Sequence, residues 1–155
     1  MDTSVPNFLF EEQHPEAKIA TEQLLRQVGK GAYQVHISPA VVKELEATPD
    51  LKKRKALLDA LKRFRYVTLE LTNEVFDLAD RYIAAKIIPQ KYRKDAVHLA
   101  AAAVYGVGVV VSWNFEHLVK PKTRREVNVV NEKLGYPQID IVSPFELVGY
   151  TGKKV

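Results

Sequence analysis

The sequence predicts an α/β fold with three layers, in which helices flank a mostly parallel sheet. Short apolar segments rich in β-branched residues alternate with amphipathic helical segments, which is the pattern of successive βα units. Residues 107–112 form a nearly continuous apolar run, as expected for a strand buried on both faces of a parallel sheet. The 155 residues suffice for one core, so we expect a single domain over residues 1–150 and a short tail over 151–155.

The elements of the first half each have a local signal. Pro15 begins a helix that Gly29 ends, since proline favours the first helical turn and glycine follows the last. Alternating apolar and polar residues predict a strand over 33–37. Ser38 and Pro39 are typical of an N-cap and the first residue of a helix. The remaining elements are a helix over 40–47, a helix capped by Asp50 that runs through Phe64, and a strand over 66–71.

The second half continues the alternation. Thr72 begins a helix that runs through Lys86, and Gly135 ends another that starts at Lys122. The central helix begins near Arg93 and is almost entirely apolar on one side. Two strands, over 107–112 and 139–142, and a final turn capped by Ser143 complete the predicted fold, with Lys153 and Lys154 in the tail.

Composition narrows the possible functions. The chain has no cysteine, which excludes disulfides, zinc–thiolate sites and a thiol nucleophile. Neither a signal peptide nor a membrane-spanning run is recognisable, so we expect a cytoplasmic protein. The net charge of +4 favours an acidic partner such as nucleic acid.

Asp95 is a carboxylate on the apolar side of the central helix, in line with Leu99 and Ala102. A buried charge requires a partner, because an unpaired one is energetically expensive. The partner is either a lysine (Lys91 or Lys94) or a metal ion. Asp95 can equally complement the positive end of the helix dipole without any specific ligand.

Other polar residues are expected near Asp95. Ligands of open parallel sheets gather beyond the carboxyl ends of the strands, where Glu44, Ser112 and Asn114 fall. Asp2 would join them only if a strand preceded it. Carboxylate and amide oxygens suit Mg²⁺ or Mn²⁺, and a cation so held can activate water against a phosphate. Taken alone, each of these residues also has a purely structural interpretation. Glu44 would be a solvated helix residue, Asn114 a turn residue and Asp2 a charge at the chain terminus.

Four segments, in this order and at these spacings, resemble the PIN-domain family of metal-dependent ribonucleases, which includes the VapC-like toxins of toxin–antitoxin pairs. They are Asp2-Thr3-Ser4-Val5, Val41–Leu45 with Glu44, Asp95–Ala100, and Val111–Phe115. Each segment is weak evidence by itself, whereas the ordered set is fairly specific. The resemblance extends to 129–137 and 143–147, and so covers nearly the whole chain.

The resemblance implies a five-stranded parallel sheet and a metal-dependent endoribonuclease that hydrolyses RNA without a covalent intermediate. It assigns Mg²⁺ or Mn²⁺ to Asp2, Glu44 and Asp95, and makes Asn114 the fourth catalytic position. Ser4 would contact the site through its hydroxyl. The resemblance also implies a toxin role, a cognate antitoxin that covers the pocket, and a homodimer.

Two departures from the family pattern matter. The fourth position is often Asp and here is Asn114, which keeps an oxygen ligand but lacks the charge. The short strand that family members place before the Asp2 motif is missing, so we expect a gap or an exposed edge in the sheet. We also expect translation to start upstream of Met1. Three residues after Asn114, His117 stands where toxin-like members often carry a further Asp, and it is either a phosphate contact or a surface or capping histidine.

Basic residues predict where RNA would lie. Lys120, Lys122 and Arg124 form a cluster close in sequence to Asn114, and Lys52–Arg65 is a second basic stretch. Tyr92 and Trp113 are candidates for stacking on bases, although Trp113 equally suits the core. A catalytically weak or inactive PIN fold that binds RNA or a partner is the main alternative. A nucleotide-binding α/β domain is disfavoured because the sequence has no glycine-rich phosphate loop.

Overall fold

The structure, a computed structural model, describes residues 1–150 except the Tyr150 side chain, so the predicted tail at 151–155 lies outside the described residues. The described chain alternates strands and helices, which confirms the predicted α/β fold. All strand pairs are parallel. The strands are β1 (Val35–Ile37), β2 (Tyr66–Thr68), β3 (Val109–Val111) and β4 (Asp140–Val142).

The helices begin and end close to the predicted residues. Asp50 caps one helix by accepting from the N–H groups of Lys52 and Lys53, and Thr72 caps another. Gly135 ends a third with a left-handed φ of 78°. The helices are α1 (Ser4–Asn7), α2 (Pro15–Gly29), α3 (Pro39–Glu46), α4 (Leu51–Lys62), α5 (Asn73–Ala84), α6 (Arg93–Val104), α7 (Pro121–Leu134) and α8 (Pro144–Tyr150), with 3-10 turns at Phe8–Phe10 and Gln90–Tyr92.

The strands are shorter than the apolar runs predicted. Each has three residues, and they pair as two separate two-stranded sheets, β1 with β2 and β3 with β4. Each strand therefore has a strand partner on one side only within residues 1–150. A strand with a ladder on only one side has fewer hydrogen bonds to hold its ends, which accounts for the shortening.

Residues Met1 and Asp2 connect the two sheets. The amino group of Met1 donates to the carbonyl of His36 in β1 at 3.0 Å, and the N–H of Asp2 donates to the carbonyl of Val111 in β3 at 3.3 Å. Within residues 1–150, no strand lies between β1 and β3. The predicted gap in the sheet is thus present, and the five-stranded sheet is represented by four strands and this short bridge.

Both faces of the β3–β4 pair are covered, as the apolar run predicted. Val110 and Ile141 pack into a core formed mainly by α5 and α6. Their neighbours Val111 and Val142 point to the opposite face and pack with α2. Because successive side chains of a strand alternate between faces, this places helices on both sides and produces the three layers.

Trp113 belongs to the core on the α2 side. Its ring is 6% exposed and stacks on Phe8 at 5.0 Å between centroids, and its indole N–H donates to the Thr21 hydroxyl at 2.9 Å. A buried and hydrogen-bonded indole cannot stack on a nucleic-acid base, so the core interpretation of Trp113 is the correct one. Within the described residues, no helix has the length and apolar character needed to cross a membrane.

Candidate active site

Asp2 lies at the carboxyl end of the strands with both oxygens hydrogen-bonded. One oxygen accepts from the N–H and hydroxyl of Ser4, at 3.2 and 2.5 Å, and the other accepts from the Ser112 hydroxyl at 2.5 Å. The residue is only 6% exposed. The expectation that Asp2 would need a preceding strand is therefore not met, because Ser4, Ser112 and the backbone bridge to Val111 position it.

Ser112 organises this end of β3. Besides donating to Asp2, its oxygen accepts from the backbone N–H of Asn114 at 3.0 Å, and it lies 3.3 Å from the Ser4 hydroxyl. The residue is completely buried. Sequence reasoning placed Ser112 at the strand end without giving it a role, and its position directly after an apolar strand was the available signal.

Asn114 contacts Asp95 directly. Its side-chain amide donates to a carboxylate oxygen of Asp95 at 3.1 Å, while its carbonyl oxygen accepts from the backbone N–H of His117 at 2.9 Å. Asp95 and Asn114 therefore lie next to each other, as the sequence predicted. In this arrangement Asn114 presents its N–H₂ group, and not its oxygen, to the carboxylate.

The surroundings of Asp95 raise the pKa of its carboxyl above the ordinary value. Burial is the largest cause, the negative charge of Asp2 is the second, and Glu44 adds to both. His117 and the hydrogen bond from Asn114 oppose the rise. A carboxylate that merely complemented a helix N-terminus would have its pKa lowered, so burial and neighbouring carboxylates dominate here.

Glu44 has a lysine partner at present. Its carboxylate lies 3.9 Å from the ammonium group of Lys94, whose side chain is 77% exposed. Exposed ion pairs contribute only about 0–1 kcal/mol, so this contact is easily exchanged for another cation. The lysine that was considered a partner for Asp95 thus pairs with Glu44 instead.

His98 and His36 lie beside Asp2, although neither of them was assigned a role in the site from the sequence. His98 lies one helical turn after Asp95 on α6, and burial lowers its pKa below the ordinary value while Asp2 and Glu44 oppose that effect. With Asp2 and His36, it lines a small cavity. The i, i+3 spacing from Asp95 was the sequence signal, since residues at this spacing share a helix face.

Tyr92 and His117 form an aromatic pair beside the carboxylates. Their ring centroids are 3.8 Å apart, and the ammonium group of Lys91 lies 4.9 Å from the centre of the Tyr92 ring. The His117 side chain is 14% exposed and is one of the groups that oppose the rise in the pKa of Asp95. His117 is therefore a partly buried wall residue of the site, and not a surface residue.

The three basic residues predicted to contact RNA differ in whether their side chains are free to do so. Lys120 and Lys122 are exposed at the start of α7. Arg124 is instead engaged, with its guanidinium 3.3 Å from Asp140 and 3.5 Å from Glu146. Contact of these three residues with RNA stays a prediction, and the two lysines are the better candidates because they have free ends.

The three carboxylates of the site are of the right chemical type to bind a divalent cation, but their present arrangement is not that of a metal site. Asp2, Glu44 and Asp95 are oxygen donors close enough that their charges influence one another. Among residues 1–150, however, no three acidic or histidine side chains are gathered tightly enough to hold an ion. Glu44 is turned to Lys94, and both oxygens of Asp2 are occupied by hydroxyl groups. Binding of an ion would require Glu44 to part from Lys94 and the serine hydroxyls to turn away from Asp2.

Comparison with protein families gives one match. Residues 1–116, which include Asp2, Glu44, Asp95 and Asn114, match the model described as the PIN domain. Searches of curated proteins and of solved structures gave no match. The matched region spans most of the chain and includes the carboxylates and Asn114, whereas His117 and the basic residues of α7 follow it. The chain therefore belongs to the PIN-domain family, whose members are usually nucleases.

Proposed function

We propose that this protein is a metal-dependent endoribonuclease that hydrolyses phosphodiester bonds of RNA. The observation that carries the proposal is the geometry of the site: the buried Asp2 accepts from Ser112, Ser112 accepts from the N–H of Asn114, and Asn114 donates to Asp95. In these surroundings the pKa of Asp95 is raised, with burial as the first cause and the carboxylate of Asp2 as the second. Carboxylates that disfavour each other's ionised form constitute a site that a cation would relieve. Family membership supports a hydrolase acting on nucleic acid, and the metal and the RNA substrate are the proposed additions.

Each residue has a role in this proposal. Asp2, Glu44 and Asp95 would hold Mg²⁺ or Mn²⁺, which when bound promotes ionisation of water and offsets charge on the scissile phosphate. Ser4 and Ser112 orient the Asp2 carboxylate through their hydroxyls. Asn114 fixes Asp95 through its amide. Lys94, which lies 3.9 Å from Glu44, would become available to a phosphate oxygen once Glu44 bound the cation.

The biological role we propose is the toxin of a type II toxin–antitoxin pair, acting in the cytoplasm as a homodimer. The proposal rests on the VapC-like order of the motifs and on an exposed basic region at Lys120 and Lys122. The cognate antitoxin would cover the carboxylates, for example with an arginine. Induced expression in a bacterial host should arrest growth, and the Asp95→Asn variant should not.

A cleavage assay tests the enzymatic proposal. RNA is incubated with the protein and Mg²⁺, Mn²⁺ or a chelator. We expect cleavage with the metals, none with the chelator, and at least about a 100-fold lower rate for Asp95→Asn. The matched control is Asp59→Asn, which removes an exposed carboxylate of α4 and should retain full activity. Equal cleavage by both variants would show that the site is assigned wrongly.

A second candidate function is a PIN-fold module that binds RNA or a protein partner without cutting. Three contacts favour it: Glu44 is paired with Lys94, Asp2 is saturated by two serines, and Asn114 presents its amide N–H₂ to Asp95. In this case RNA would bind equally well with and without divalent metal. An absence of cleavage under every metal condition, combined with micromolar RNA binding, would select this function.

A further inference from the structure

Two phenylalanine rings are exposed beside the buried Trp113. Phe115 is 53% exposed and Phe145 is 44% exposed. Their ring centroids lie 6.1 and 4.8 Å from that of Trp113, at interplanar angles of 53° and 85°. A single exposed apolar residue is ordinary, whereas two exposed rings that share one buried support form an aromatic patch on the surface.

The support of this aromatic patch is held in place by hydrogen bonds. The indole N–H of Trp113 donates to the Thr21 hydroxyl of α2 at 2.9 Å. Phe145 lies in the first turn of α8, where the Glu146 carboxylate accepts from the N–H of Ser143 at 2.9 Å. The rings are thus presented by ordered backbone, so a ligand that contacts them loses little free energy to ordering of the protein.

The aromatic patch is continuous with the candidate active site. Trp113 and Phe115 flank Asn114, whose side chain donates to a carboxylate of the site at 3.1 Å. The backbone N–H of Trp113 donates to the Ser4 hydroxyl at 2.8 Å, and that hydroxyl also donates to the Asp2 carboxylate. The same short segment of backbone therefore carries an exposed ring and positions the polar groups of the site.

The loop after Phe115 leads to the exposed lysines of α7. The backbone carbonyl of Asn114 accepts from two N–H groups of this loop, at 2.8 and 3.1 Å, which closes residues 114–119 into a tight turn. Lys120 and Lys122, both exposed, follow directly. An exposed ring followed by cations is a combination found in proteins that bind single-stranded nucleic acid, because rings stack on bases and cations pair with phosphates.

We propose that Phe115, supported by Trp113 and with Phe145 beside the same indole, stacks on an unpaired nucleobase of RNA next to the scissile phosphate. This inference rests on the proposed function, because cleavage at the carboxylates determines which nucleotide reaches the ring. Every base offers a flat π-face, so the contact holds the strand in place with little preference for sequence. The base must be free of its neighbours, so the substrate is single-stranded at this position.

The position of the aromatic patch identifies RNA as its occupant. An RNA strand whose phosphate lies at the carboxylates extends its neighbouring nucleotides over the adjoining surface, and Phe115 is part of that surface. A protein segment would need apolar contacts alone and would gain nothing from Lys120 and Lys122 at the end of the same loop. The positive charge of the two lysines therefore favours a polyanion with aromatic bases.

Binding of single-stranded RNA to variants of Phe115 tests the contact. Fluorescence anisotropy gives the Kd of a short labelled RNA in the Asp95→Asn background, so that cleavage does not interfere. Phe115→Ala should raise Kd about 5- to 150-fold, which is the range for loss of one base–ring contact. Phe115→Trp retains a π-face and should keep Kd within about two-fold. Tyr66→Leu is the control, since it removes a ring that is 38% exposed on β2 and should leave Kd unchanged.

Abasic nucleotides identify the stacked base. RNAs that each carry one abasic position are titrated against the Asp95→Asn protein with and without Phe115→Ala. An abasic position beside the mapped cleavage site should weaken binding as much as Phe115→Ala does, and should weaken binding to the Phe115→Ala protein no further. Abasic losses that are equal in the two proteins at every position would overturn the proposal, and would leave the aromatic patch to an apolar segment of a protein partner.

The failure of this inference can be told apart from the failure of the proposed function. RNA cleavage by Phe115→Ala with an unchanged KM would overturn the stacking contact and leave the nuclease proposal intact. Absence of cleavage under every metal condition, with one abasic position still coupled to Phe115, would overturn the nuclease proposal and support the stacking contact. A failure of the unmodified chain to bind single-stranded RNA would overturn the stacking contact.

Discussion

The carboxylate of Asp2 accepts a 2.5 Å hydrogen bond from the hydroxyl of Ser112, which is 110 residues away in the sequence. The same hydroxyl accepts from the N–H of Asn114, and the Asn114 side chain donates to Asp95. A single buried serine thus connects the two carboxylates at opposite ends of the site. The arrangement means that Asp2 and Asp95 are positioned through β3 and not through direct contact.

Replacing Ser112 with alanine tests this connection. The change removes the donor to Asp2 and the acceptor of the Asn114 N–H in a fully buried position. Hydrogen bonds to charged groups contribute about 1.5–3 kcal/mol, so we expect a loss of this order in the free energy of unfolding. Urea denaturation followed by the fluorescence of Trp113 measures it.

Ser38→Ala is the matched control for Ser112→Ala. Ser38 is also buried at a strand end, but its hydroxyl has no hydrogen-bond partner. Its removal should therefore change the free energy of unfolding by less than about 0.5 kcal/mol. Equal losses in the two variants would show that burial of any serine hydroxyl matters here, and not the contact with Asp2.

Asp95→Asn should stabilise the metal-free protein at neutral pH. The folded-state pKa of Asp95 lies above its ordinary value of 3.8, with burial as the first cause and Asp2 as the second. The folded protein therefore holds more protons than the unfolded chain between these two values, and its stability falls as pH rises through that window. Asparagine removes the ionisation while it can still accept from Asn114.

Thermal unfolding in the presence of a chelator measures this effect. The Tm of Asp95→Asn should exceed that of the unmodified chain at pH 7, and the two should converge below pH 3.8. Asp59→Asn, on the exposed side of α4, should follow the unmodified chain throughout. A lower Tm for Asp95→Asn at pH 7 would indicate that the ionised carboxylate stabilises the fold.

The sequence predicted the elements well, because their signals are local. Proline at the first helical position, the Asp50 cap and Gly135 act within a few residues of themselves. The hydrogen bond from Ser112 to Asp2 was not predictable, since it joins residues that are 110 positions apart in the sequence. Periodicity placed Asp95 on a buried side, but only the fold shows that Lys94 selects Glu44.

Tyr82→Phe tests the core on which α6 rests. Tyr82 is completely buried and donates to the carbonyl oxygen of Asn131 on α7 at 2.5 Å. Burial raises the pKa of the phenol, and its hydrogen bond to Asn131 opposes that rise. Loss of the donor should lower the free energy of unfolding by about 1–2 kcal/mol, as determined by urea titration.

A double-mutant cycle separates this contact from packing. Asn131→Leu in the Tyr82→Phe background should cost less than Asn131→Leu alone, because the phenol is then no longer left without an acceptor. Additive losses would mean that the two side chains stabilise the protein independently.

RNA binding should depend on Lys120 and Lys122 through their charge. Both are exposed near Asn114, so we expect each to neutralise one phosphate and release its counterions. The double variant Lys120→Ala/Lys122→Ala should reduce the slope of log K against log salt by about 1.4 for single-stranded RNA. Fluorescence anisotropy in the Asp95→Asn background measures binding without cleavage.

The double variant Lys52→Ala/Lys55→Ala is the control. It removes two exposed lysines of α4 and should leave the slope unchanged if RNA lies beside Asn114. A larger reduction from the α4 pair would place the RNA on that helix instead.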